Sequence, residues 1–138
     1  MTLQHDIHWL IEGVLIFSRT SGDGSIEEMG AIDARLLELI RVGTPPVHIL
    51  SDLSNLGRMP FDVVGMQRSL KHMKDPNLGL IVVYGTTRLA ANFLQLFASI
   101  LGAKLRMARD YMHGLRMLAA EDVRVKAFLE QGKIPAEC

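Results

Sequence analysis

The chain has 138 residues, enough to bury a little under about 70% of its unfolded surface around one core, so no second domain is needed. Fifteen basic and fifteen acidic side chains cancel, which removes the global field that concentrates nucleic acid or anionic membrane. The single cysteine, Cys138, stands last, so an intramolecular disulfide is excluded, and no apolar run approaches the roughly eighteen residues of a membrane span. His5, Asp6 and His8 stand before the first apolar run in place of a basic n-region, so a leader segment is not expected. The expectation is a soluble, cytoplasmic protein with no nucleic-acid partner.

In chain order, Ile7 to Ser18 is apolar or β-favouring and is interrupted by Glu12-Gly13, which predicts two short strands joined by a two-residue turn. Ser21-Gly22-Asp23-Gly24 is a loop, and Ser25 with Glu28 has the spacing of a capping box that opens a helix. Met29, Ile32, Leu36, Leu37 and Ile40 recur at intervals of three and four on one face, while Glu27, Asp33, Arg35, Glu38 and Arg41 fall largely elsewhere. Gly43 to Pro46 ends that helix. Val47 to Leu53 reads as a buried strand and Asn55 to Pro60 as a connection. A second helix follows, with Pro60 near its first turn, Asp62 complementing the dipole, and Val63, Met66, Leu70 and Met73 facing inward.

Leu78 to Tyr84 is the most hydrophobic strand, a continuous run that suits a central position or a parallel neighbour. Gly85-Thr86-Thr87-Arg88 leads into a third helix, whose inner stripe is expected at Leu89, Phe93, Leu96 or Phe97, and Ile100, with little polar face opposite. Gly102 closes it. Leu105 to Ala108 is a last strand, Asp110 caps a helix bearing Tyr111, Leu115 and Leu118, and Asp122 starts a final turn or two through Val125, Phe128 and Leu129, ahead of a frayed tail. The order ββαβαβαβα predicts one α/β domain across residues 1–138, its core from about Ile7 to Leu129, with a mostly parallel sheet of about five strands, an N-terminal hairpin and helices packed on the sheet.

Catalytic chemistry finds little support. Ser51 and Ser54 flank Asp52, but no Gly-x-Ser-x-Gly elbow or phosphate-loop Gly-Lys-Ser/Thr is present, and Gly22-x-Gly24 lacks the rest of a dinucleotide fingerprint. The histidines show no His-Glu-x-x-His pattern, and His48, inside a strand, reads as a hydrogen-bonded structural residue. No catalytic residue, metal site or cofactor is therefore assigned. Thr86, Thr87 and Arg88, at a strand-to-helix junction, could contact a small anion or ligand, although an ordinary capping loop is the simpler reading.

Val-His-Ile-Leu-Ser-Asp-Leu-Ser-Asn-Leu, residues 47–56, followed by Asp62-Val63-Val64-Gly65, resembles a strand ending in Asp-Leu-Ser and a helix-opening Asp-Ser-Ser-Gly, the marks of the STAS domain of bacterial anti-sigma-factor antagonists. Leu115-Arg-Met-Leu-Ala followed by Asp122-Val-Arg-Val is similar to divergent STAS-like relatives, whose fold in turn resembles lipid-carrying domains. In the antagonists the second serine of the helix-opening motif is phosphorylated. Val64 stands at the matching position here and has no hydroxyl, so a phospho-switch at this helix start is not expected, and Ser51, Ser54 or Ser69 would have to serve.

The resemblance and the missing catalytic constellation together favour a non-enzymatic regulatory or protein-interaction module, docking through Asp52, Ser54, Asp62, Gly65 and Gln67. The alternative is a carrier or sensor of a hydrophobic or lipid-like ligand, with the apolar helix from Leu89 to Leu101 as its cover. Phe93, Leu94, Phe97 and Leu101 would line that cover, or serve a homodimer interface or membrane contact if they faced outward.

Overall fold

Along the central strands the apolar side chains alternate between two sets, and each set has its own helical cover. The computed structural model describes residues 3–58 and 62–133, and in it β1 (Gln4–Ile11), β2 (Leu15–Ser21), β3 (Val47–Asp52), β4 (Leu78–Tyr84) and β5 (Lys104–Met107) form one sheet in the order β1-β2-β3-β4-β5. β1 is antiparallel to β2, and the other neighbours are parallel. The hairpin turn at Glu12-Gly13 is closed by Val14 N–H donating to Ile11 O at 2.9 Å, with Gly13 at φ 77.

The helices are α1 (Ile26–Val42), α2 (Val63–Ser69), α3 (Arg88–Leu101), α4 (Tyr111–Glu121) and α5 (Val123–Glu130), with a 3-10 turn over Lys71–Lys74 after α2. Right-handed crossovers that always step in one direction along the sheet place their helices on one face. Ile16, Ile49, Ile81 and Val83 accordingly pack with Met29, Leu36, Met66 and Phe97 from α1, α2 and α3. On the other face Leu15, Leu50, Leu80 and Val82 pack with Leu115, Leu118 and Val125 from α4 and α5, which follow the last strand and involve no crossover. β4, with parallel neighbours on both sides and five consecutive buried residues from Leu80 to Tyr84, is the doubly covered strand that its composition predicts.

Three helical details depart from the periodicity. In α1 the buried positions are Met29, Asp33, Leu36, Leu39 and Ile40, so Leu37 is only half-buried and Asp33 lies inside. Asp33 is there because its carboxylate accepts from both the backbone N–H (2.7 Å) and Nδ1 (2.8 Å) of buried His72. α2 is short, and its N-cap residue Asp62 makes no side-chain capping hydrogen bond; Pro60 lies outside the described residues. In α3 the inner face is set by Phe97 and Ala98, with Phe93, Leu94 and Leu101 half-buried against the core, whereas Leu89, Leu96 and Ile100 are exposed. The stripe is thus rotated by about one residue from the expected one, and the helix is strongly two-sided.

The amino ends of the parallel strands are bolted to α5. His48 Nδ1 accepts from Leu80 N–H (2.9 Å), so Nε2 carries the proton and donates to Asp122 (2.9 Å). A Cβ on Gly79 would meet the His48 ring, which is why this strand residue has no side chain. Arg124 donates to Asp122 and to the carbonyls of Thr44 (2.8 Å) and Pro46 (2.6 Å). His48 is therefore the structural histidine expected from its strand position, and Asp122-Val-Arg is the device that fastens the C-terminal cover. Among the described residues no helix is long and apolar enough to cross a membrane.

Candidate functional site

At the carboxyl ends of β2 and β3 the parallel register sets Arg19 beside Asp52. Asp52 is buried, and its two oxygens are occupied: Oδ2 accepts from Arg19 Nε (2.9 Å), and Oδ1 accepts from the backbone N–H (2.9 Å) and hydroxyl (2.6 Å) of Ser54. Burial pushes this carboxyl up, but the Ser54 donors and Arg19 outweigh it and hold it below the ordinary carboxylate range. Arg19 is raised in turn, by its hydrogen bond to Asp52 against the effect of burial, and its guanidinium lies 5.2 Å from the centre of the Phe17 ring.

Asp52 is thus the clamp that holds the β3-to-loop turn, and Ser54 is the exposed residue at its tip. Gly85 packs directly against Ser54 at φ 82, so a Cβ there would collide with the serine as well as strain the backbone. Thr86 and Thr87 follow on the same rim. Thr87 is the N-cap of α3 and accepts from Ala90 N–H at 3.2 Å, the capping role foreseen, and Arg88 is the exposed first residue of the helix. Asp62 and Val64 are exposed on α2, while Gly65 and Gln67 are half-buried, Gly65 giving room to the Asp62 carboxylate and to Ile26 of α1. Val64, which has no hydroxyl, is exposed.

Beneath this rim lies a feature with no counterpart in the motif-based picture. A cavity of about 140 Å³ opens between the three helices of one face. Its walls are Met29 and Ile32 of α1, Met66 of α2 with the following Leu70, and Ala90 and Leu94 of α3, and it is completed by Leu3, Thr20, Leu53 and Leu56. Only Thr20 among these carries a polar side chain. A neighbouring cleft of about 450 Å³ shares Leu53, Leu56 and Ala90 with the cavity and adds the polar residues Ser54, Arg58, Thr86 and Thr87, with Gly57 and Gly85 between them.

The structure consequently brings Ser54, Thr86 and Thr87 to one cleft, which Asp52, Asp62, Gly65, Gln67 and Arg88 do not line, and places Leu94 at the cavity. Phe97 is fully buried in the core. The cavity residues lie on separate elements, and Arg19 becomes a neighbour of Asp52 only through the β2–β3 register, so no local spacing could reveal either. The sheet order also never reverses, so the crevice at a topological switch point, the usual ligand site of open α/β sheets, is lacking here. The space arises instead because α2 is short and gives way to a 3-10 turn beside α3.

No protein-family model matches the chain, and no curated protein matches it significantly. Among solved structures it is similar to an uncharacterised protein of the DUF3478 family with a SpoIIAA-like fold from Shewanella loihica PV-4, at a TM-score of 0.62 and 13% identity over 85% of this chain and 94% of that one. The fold is therefore SpoIIAA-like, the STAS-like fold expected from the sequence, and at this identity the likeness extends to the fold alone.

Proposed function

We propose that this protein is a non-enzymatic STAS-like module of the cytoplasm that binds a hydrophobic ligand between α1, α2 and α3, with α3 as one wall and cover. The observation that carries the reading is the apolar cavity itself. Its volume, about 140 Å³, is close to the roughly 150 Å³ at which a Leu/Ile/Phe-lined space stays dry and accepts benzene-sized guests. Native packing leaves few spaces larger than a water molecule. Asp52, whose oxygens are taken by Arg19 and Ser54, is engaged in holding the loop, which supports a binding rather than a catalytic role.

The test is direct. Freshly purified protein extracted with organic solvent should release a bound apolar compound detectable by mass spectrometry. Protein that is empty after purification should instead take up benzene, with shifts of the Met29 and Met66 methyl resonances. An empty protein whose methyl resonances ignore benzene would sink the reading.

Protein docking is a second reading, favoured by one observation: Leu89, Leu96 and Ile100 of α3 and Val64 of α2 are 74%, 59%, 51% and 56% exposed. The first partner to consider is a second copy of the chain. Sedimentation equilibrium should then show a dimer that Leu96→Glu dissociates, and a wild-type monomer at all concentrations would remove the homodimer. A different protein partner, docking near Ser54, Asp62 and Gln67, should be lost on Asp62→Lys with little change in melting temperature, and undiminished capture by that variant would count against it.

A further inference from the structure

We infer that the ligand is a single-chain anionic amphiphile, a medium-chain carboxylate, whose tail end occupies the apolar cavity and whose carboxylate lies in the adjoining polar cleft. This rests on the ligand-binding reading above and adds the chemical class of the ligand. Two features together define it. The cavity and the cleft adjoin at Leu53, Leu56 and Ala90, so a molecule that occupies both would cross at these apolar side chains. Their chemistries differ: among the described residues a polar group in the cavity would find only Thr20 as a side-chain partner, whereas the cleft adds the hydroxyl residues Ser54, Thr86 and Thr87 and the cationic Arg58 to its apolar walls.

The donors of the cleft select the head group. Arg58 contributes the positive charge, and Asp23, the nearby carboxylate, is turned to the loop backbone, where its Oδ1 accepts from Arg58 N–H. Thr87 accepts from Ala90 N–H, which leaves its hydroxyl proton for another acceptor. Ser54 spends its proton on Asp52 and offers only lone pairs, so the site leans on Arg58 and the threonines for donors. A carboxylate matches a guanidinium better than an alcohol does, because the bond is charge-assisted. Chain length follows from volume: a benzene-sized cavity holds roughly six carbons, and the passage past the shared walls accounts for a few more, which indicates chains of about eight to ten carbons.

The experiment compares decanoate with decanol, both as monomers below their aggregation thresholds, by titration into the full chain with the methyl resonances of Met29 and Met66 as reporters. Decanoate should bind at least about tenfold more tightly than decanol, and Arg58→Glu should remove that advantage while leaving decanol affinity unchanged. Leu94→Trp, which fills the cavity, should abolish binding of both. Should that variant fail to fold, Ala90→Leu narrows the shared wall and should weaken both. Equal affinities for decanoate and decanol, or an Arg58→Glu variant that keeps the preference, would overturn the head-group inference while the cavity reading stands. Wild-type protein that binds neither probe nor benzene would overturn both.

Discussion

At the scale of the residue, Asp52 shows how one side chain becomes a structural decision. A carboxylate sent to the end of a buried strand must be paired, and here it is paired twice, to a guanidinium across the sheet and to the two donors of Ser54. Asp52→Asn keeps an oxygen for the Ser54 donors but leaves Arg19, only 23% exposed, without its countercharge, and should cost about 2 kcal/mol or more in urea denaturation. Ser54→Ala removes one charge-assisted hydrogen bond and keeps the backbone donor, so a loss nearer 1 kcal/mol is expected. Equal losses would mean that the Ser54 hydroxyl, not the Arg19 pair, is what Asp52 requires. Asp52 and Ser54 stand out in the sequence because a polar pair closes an apolar strand. Arg19 does not, since β-strand register is decided by tertiary packing, and Asp33 looks like a solvent-facing helix acid until His72, 39 residues away, is placed against it.

At the scale of the element, α3 shows where periodicity stops being sufficient. Although Asn92, Gln95 and Ser99 mark a polar side, the remaining apolar arc is wide enough that two stripes about one residue apart both have helical spacing, and only the sheet selects between them. The chosen phase buries Phe97 and Ala98 and leaves Leu96 outside. Phe97→Ala should therefore destabilise by about 3–5 kcal/mol, whereas Leu96→Lys should change stability by less than about 0.5 kcal/mol and reduce any tendency to self-associate. Thermal and urea melts of the two variants decide the phase, and a costly Leu96→Lys in a monomeric protein would return the stripe to the one periodicity suggests. In α1 the start was legible, since Ser25 and Glu28 cap it reciprocally as their spacing implies, whereas its buried face takes Asp33 and Leu39 in place of Ile32 and Leu37. α2 was legible as a helix but not in its brevity, because the 3-10 turn that follows depends on His72 being drawn to Asp33.

At the scale of the molecule, the sheet is fastened at both ends by ionised carboxylates, Asp52 at the carboxyl end and Asp122 at the amino end. The Arg124 guanidinium above all, with the Arg124 backbone N–H and His48, holds Asp122 far below the ordinary carboxylate range despite partial burial. Both groups have folded-state pKa values below the roughly 3.9 of an unfolded aspartate, so on acidification the unfolded chain takes up protons before the folded one does. Their contribution to stability is complete above about pH 5 and is lost as the pH falls through the unfolded value toward the folded ones. Urea midpoints should hold steady from about pH 7 to 5, as far as these two groups govern them, and then fall steeply below about pH 4. Asp122→Asn keeps one carbonyl oxygen, which can still accept from Arg124 N–H and cap α5, while the amide NH2 in place of the second oxygen gives His48 no acceptor and Arg124 no countercharge. That variant should be less stable than wild type at pH 7, yet show a shallower acid limb, so that the two curves converge near pH 2. Curves that stay parallel down to that pH would mean that the ionised state of Asp122 is not what binds the C-terminal cover to the sheet.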